Sequence, residues 1–172
     1  MQRTISRAFG ALTILLVLFT VTACAGKGDF SAEDVMFAEM MIPHHEQAIE
    51  MSDLALASTT NPDLRALAQQ IKDAQAPEIA EMKSWPGVDS MVHMGHMMDG
   101  MLSDSEIDEL KVATGAEFDR LFLEGMIKHH EGAIVMAEEV VDSKNQKVAD
   151  LARAIIEAQK AEIITMRELL KG

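Results

Sequence analysis

One cysteine, Cys24, is all the thiol this 172-residue chain carries. With Cys24 set aside, the rest of the chain cannot form a disulfide, a zinc-thiolate cluster, a thiol nucleophile or a His₂Cys blue-copper centre. Basic residues are also scarce: 15 Lys and Arg stand against 28 Asp and Glu, a net charge of −13. No basic stripe exists to neutralise phosphates, which argues against nucleic acid as a partner. Alternating strand patterns are absent, and so is any apolar run that spans a bilayer with certainty.

What is present begins with an address. Arg3 and Arg7 form a positive start, Ala8 to Thr20 is mostly apolar, and Val21-Thr22-Ala23-Cys24 looks like a bacterial lipobox. Residues 1–23 read as a lipoprotein signal peptide, Cys24 as the lipidated residue and 24–30 as an anchor linker. That reading places the protein outside the cytoplasm, held to a bacterial membrane by lipid; an ordinary secretory signal or an uncleaved anchor is the alternative. Removing the leader leaves 149 residues, enough for one domain, and the loss of Arg3 and Arg7 deepens the charge to −15.

The remainder, 31–172, contains a duplication. Phe37, Met41, His44, His45, Glu46, Ala48, Ile49 and Met51 are repeated 85 positions later as Phe122, Met126, His129, His130, Glu131, Ala133, Ile134 and Met136. Farther on, Leu67, Ala68, Ile71, Gln75, Glu78, Ile79 and Met82 match Leu151, Ala152, Ile155, Gln159, Glu162, Ile163 and Met166. Steps of three and four run through both blocks, the mark of one buried helical stripe. The spacing predicts helices near 31–58, 62–84, 115–141 and 145–171. Asn61-Pro62 and Asp142 to Asn145 form the turns, and a short linker helix is capped by Ser103 with Glu106. The fold class is therefore all-α, a four-helix bundle from a duplicated hairpin. Copy one spans 31–84, a Met/His-rich linker 85–114 and copy two 115–171.

All six histidines fall in three clusters, each beside methionine: His44-His45, His93-x-x-His96 and His129-His130. At about 100° per residue, the paired histidines straddle the apolar arc around Met41 and Met126, while Glu39, Glu46, Glu124 and Glu131 lie opposite and should be solvated. A single histidine on such an arc is usually core packing; two duplicated pairs point to a metal. Both pairs at one centre, or one site per pair, are equally open. Pro43, replaced by Lys128 in the second copy, should bend the first helix beside His44. Glu78 and Glu162 stand at the stripe edge, where each either accepts a hydrogen bond from an imidazole, binds metal, or reaches water. Met51 and Met136 are weaker candidates still, since methionine at helical spacing is ordinary core filler.

The linker is another kind of object. Met91, His93, Met94, His96, Met97, Met98 and Met101 interleave five thioethers with two imidazoles around Gly95 and Gly100. Imidazole with thioether is a soft-to-borderline donor set that points first to copper, above all Cu(I), with another transition metal as the alternative. A flexible apolar lid, or a sticky interaction loop, is the plain competing reading.

The doubled Met-Ile-x-His-His-x-x-Ala-Ile-x-Met segment, Met41 to Met51 and Met126 to Met136, resembles the hallmark of the domain of unknown function 305 family. The resemblance covers about 31–171. It implies a ferritin-like four-helix bundle in secreted or lipid-anchored bacterial proteins, some of them associated with periplasmic copper binding and copper resistance. The expected function is thus copper sequestration or transfer without a catalytic step, weakened at low pH because imidazole must be neutral to ligate. A ferritin-like oxidase is the enzymatic alternative, but the Glu-x-x-His element of di-iron centres is missing: Met41, Ile42, Met126 and Ile127 stand three before the histidines. A metal-free envelope interaction module is the third reading.

Overall fold

The computed structural model describes residues 29–92 and 98–171. Residues 1–28, His93 to Met97 and Gly172 lie outside the described residues, so the signal peptide, Cys24, His93, Met94, His96 and Met97 cannot be placed.

Five helices run in order among the described residues: α1 (Ala32–Ser58), α2 (Pro62–Lys83), α3 (Asp104–Val112), α4 (Gly115–Glu138) and α5 (Gln146–Leu169). Their starts follow local chemistry. The Ser31 hydroxyl accepts from the Asp34 N–H while Asp34 accepts from the Ser31 N–H, a capping box that opens α1. Asn61, followed by Pro62 at the first helical position, opens α2; Asn145 opens α5. Ser103 and Glu106 form a second capping box on α3, as the sequence predicts. The fourth helix ends at Glu138, three residues before the predicted 141, and the segment after it is turn.

α1 packs on α2 and α4 on α5, the two hairpins of the duplication, and the hairpins join chiefly through α1 against α4. The core falls into two apolar clusters. One holds Met51, Leu64, Ile71, Phe118, Phe122, Met126 and Met166; the other holds Phe37, Met41, Ile42, Met82, Met136, Val148 and Ile155. The N-terminal part of α1 thus meets the C-terminal part of α4, and the reverse, so the two helices run antiparallel. α1 continues without interruption through Pro43, so the expected disturbance does not divide the helix. A second proline unnoticed in the sequence, Pro77, lies inside α2 directly before Glu78.

α3 lies along α1 and α4. Its buried Ile107 and Leu110, with Leu102 before it, join the first apolar cluster. The second half of the linker is therefore part of the folded body rather than a free lid.

Candidate metal centre

Between the two apolar clusters sits a polar layer. His44, His45, His129 and His130 are all fully buried, with Gln75, Gln159 and Glu162 also buried nearby in the stripes of α2 and α5. The histidines do not converge as one group of four. His44 and His129, one from each hairpin, face each other with ring centroids 3.8 Å apart and planes tilted by 41°. His45 and His130 each turn to their own hairpin: His45 Nε2 lies 2.9 Å from Glu78 Oε2, and His130 Nε2 lies 2.8 Å from Glu162 Oε2. The layer therefore has a shared central pair and two separate His–Glu arms. Of the three fates open to Glu78 and Glu162, accepting a hydrogen bond from an imidazole is the one observed.

Hydrogen-bond partners assign the tautomers of the central pair. His129 Nε2 donates to the His44 carbonyl at 2.8 Å, and His44 Nε2 donates to the Asp99 carbonyl at 3.3 Å. A carbonyl only accepts, so both protons sit on Nε2 and Nδ1 carries the lone pair. Carboxylate acceptors on His45 and His130 favour the same assignment. The Nδ1 atoms of all four histidines are buried and have no hydrogen-bond partner.

Burial decides the charge state. It holds His44 down at about 3, with help from the neighbouring charge of His45 and against the Asp99 hydrogen bond. It pushes His129 well below the ordinary histidine value, reinforced by His44, His130 and His45. His130 is also lowered by burial, although Glu162 works in the other direction. These imidazoles are neutral at physiological pH and so have lone pairs to offer a metal. The donor chemistry fits a borderline or soft cation. The arrangement is not a closed cage: among the described residues, no three His, Cys, Asp or Glu side chains are gathered as a metal-holding group.

The other predicted residues divide clearly. Met41, Met51, Met126 and Met136 are buried within the apolar clusters. Met91 is 66 % exposed, whereas Met98 is half-buried against the second cluster and Met101 is half-buried. Glu46, Glu124 and Glu131 are surface groups paired with Lys83, Arg120 and Arg167. Glu39, partly covered like Glu46, also lies at the surface, and its carboxylate accepts from the Asp89 N–H at 2.9 Å, holding the first part of the linker.

Sequence reasoning missed Gln75 and Gln159. Both amides are buried with no hydrogen-bond partner on either polar atom, one turn before Glu78 and Glu162 on the same faces. Their signal was available, since a polar residue recurs at a stripe position in both copies. The Asp99 carbonyl was also missed, and no side-chain pattern announces a backbone acceptor.

A family model described as Domain of unknown function (DUF305) matches residues 34–170. The chain belongs to this family. Solved DUF305 structures share its fold. A fragment from Deinococcus radiodurans is 29 % identical with a TM-score of 0.75, covering 83 % of this chain and 98 % of that one. A protein of Streptomyces coelicolor, described as secreted, is 34 % identical with a TM-score of 0.72, over 81 % and 92 %. CopM in its Cu(I)-bound form is 34 % identical with a TM-score of 0.68, over 80 % and 95 %, and has also been solved with Cu(II) and with Ag. No curated protein matches the chain. Among the described residues, no helix is long and apolar enough to cross a membrane.

Proposed function

We propose that this DUF305 protein is a lipid-anchored extracytoplasmic copper-binding protein that sequesters or hands over Cu(I) and catalyses no reaction. The observation that carries this reading is the set of four buried imidazoles whose Nε2 atoms are engaged and whose Nδ1 atoms are unpartnered. An imidazole held at one nitrogen by a carbonyl or carboxylate is oriented to ligate through the other. Methionine thioethers at Met91, Met98 and Met101 supply the soft donors that favour Cu(I). CopM, solved with Cu(I), Cu(II) and Ag, supports copper as the ion. The lipobox-like Val21 to Cys24 supports the anchor, and the relative described as secreted supports the compartment.

Replacing His44, His45, His129 and His130 together by glutamine tests the bundle's share. Copper affinity should fall by about tenfold or more while helical content persists. Unchanged copper stoichiometry and affinity in a folded variant would refute a ligating role for these four residues. Loss of lipid labelling in Cys24→Ser tests the anchor separately.

A further inference from the structure

The linker does not merely pass over the bundle; it is seated on the central histidine pair. The Met101 N–H donates to the Met98 carbonyl at 3.1 Å, closing a turn over residues 98–101. Gly100, at the third position of that turn, has φ +87°, a conformation open to glycine. The Asp99 carbonyl in the middle of the turn accepts from His44 Nε2, and the His44 carbonyl accepts from His129 Nε2. Two hydrogen bonds, joined through the covalent frame of His44, therefore connect the linker to one hairpin's histidine and that histidine to the other's.

Two residues at equivalent positions of the repeat, Gln47 and Gly132, hold this turn in place. The Gln47 amide pairs with both backbone groups of Leu102, accepting from its N–H at 2.8 Å and donating to its carbonyl at 2.9 Å. On α4 the repeat places Gly132 instead, and backbone meets backbone: a Cβ there would stand 2.0 Å from the Asp99 oxygen. A Cβ on Gly100 would stand 2.7 Å from the Lys128 carbonyl oxygen. The seat is specific to this linker segment.

Met98 and Met101 occupy the two ends of the same turn, on either side of Asp99 in the chain. We propose that the Asp99–Leu102 strap, seated by Gln47 and Gly132, makes a soft monovalent cation bound at the Met98 and Met101 sulfurs felt at His44 and, through it, at His129. The linker and the central imidazole pair then respond as one unit. Cation binding moves or stiffens the turn, the turn carries the acceptor of His44 Nε2–H, and that hydrogen bond sets which nitrogen of His44 offers its lone pair. Gln47 and Gly132 act as positioning residues. This inference rests on the copper-handling reading above.

Side-chain NMR of the ¹⁵N-labelled full-length chain, with Ag(I) as a diamagnetic soft probe, tests it. Without metal, His44 Nε2–H should exchange about tenfold faster in Gly132→Ala and in Gln47→Ala than in the unaltered chain. Gln47→Ala adds no volume, so it carries the test if Gly132→Ala folds poorly. With Ag(I), the His44 and His129 ring signals of the unaltered chain should shift together with the Met98 and Met101 methyls. In Met98→Leu/Met101→Leu, and in the released strap of Gln47→Ala, the ring response should be lost or at least halved. Ag(I) uptake at the sulfurs with unmoved rings, or an undiminished ring response in Gln47→Ala, overturns the coupling alone. No Ag(I) uptake overturns the coupling and the metal reading together.

Discussion

His45 in the first hairpin and His130 in the second hold equivalent places and each engages a glutamate, yet the two arms differ in how far they are shut from water. The Glu162 side chain is 5 % exposed and Glu78 19 %. Glu162 also accepts from Gln70 Nε2 at 3.1 Å, a donor reaching across from the other hairpin. The repeat sets Ala154 opposite Gln70, so no equivalent amide is available to Glu78. Prolines precede two site residues of the first half, Pro43 before His44 and Pro77 before Glu78, where the second half has Lys128 and Ala161. Lys128 in turn pairs with Glu106 on α3. Hydrogen bonds from the Ser103 backbone and hydroxyl, then Lys128, hold the Glu106 carboxyl down at about 2. Both halves receive the linker, through Gln47 on one side and Gly132 and Lys128 on the other, but only the first half's carboxylate arm stands near solvent. Identical motifs have been given different surroundings, and the surroundings set the chemistry.

Acid should expose this division most strongly. His44, His129 and His130 are held neutral in the fold below the ordinary histidine value of 6.5. Above that value neither folded nor unfolded chain protonates them, and stability is fully present. Below it the unfolded chain takes up protons that the folded chain refuses until lower pH. Stability therefore falls as the pH drops below 6.5, by up to about 1.4 kcal/mol per pH unit for each histidine. Urea unfolding at pH 7, 6 and 5 measures the slope, and His130→Gln should flatten it. A pH-independent midpoint would show that these rings are not buried as described. The same depression moves the expected acid loss of metal to lower pH, since protons compete for His44, His129 and His130 less readily than for a free imidazole.

Next in size is the difference between the arms. Glu162→Ala leaves His130 and Gln70 without their acceptor in a dry setting and should cost about 3 kcal/mol. Glu78→Ala, nearer to water, should cost about 1 kcal/mol. Equal losses by denaturant titration would erase the distinction. The smallest effect belongs to Gln70→Ala, which removes one of two donors to Glu162 and should cost about 0.5–1 kcal/mol, with no change at the His45–Glu78 arm.

Much of the architecture was legible because helices are local objects. Steps of three and four, Asn61-Pro62 and the Ser103–Glu106 box carry the positions of all five helices to within a few residues. The duplication also made the histidine pairs conspicuous as residues of a shared interior. What the pattern left open was their division of labour. An angle on a helical wheel says that His44 and His45 both face inward, but the neighbouring elements decide whether a ring meets its twin, a carboxylate or a carbonyl. Glycines and methionines carry no periodicity, so the pattern leaves the linker's placement open; its seat comes from Gln47, Gly132 and backbone atoms distant from them in the chain.

From residue order alone came the all-helical class, the two hairpins, the family and the roster of soft donors, because periodicity, capping and repetition act over a few turns of chain. Tertiary structure alone decided that His44 pairs with His129 while His45 and His130 go to separate carboxylates, and that the turn at Met98 to Met101 sits upon the central pair. Those outcomes depend on the antiparallel crossing of α1 and α4, which sets distances between residues far apart in sequence. Burial at that crossing, in turn, is what keeps the rings neutral.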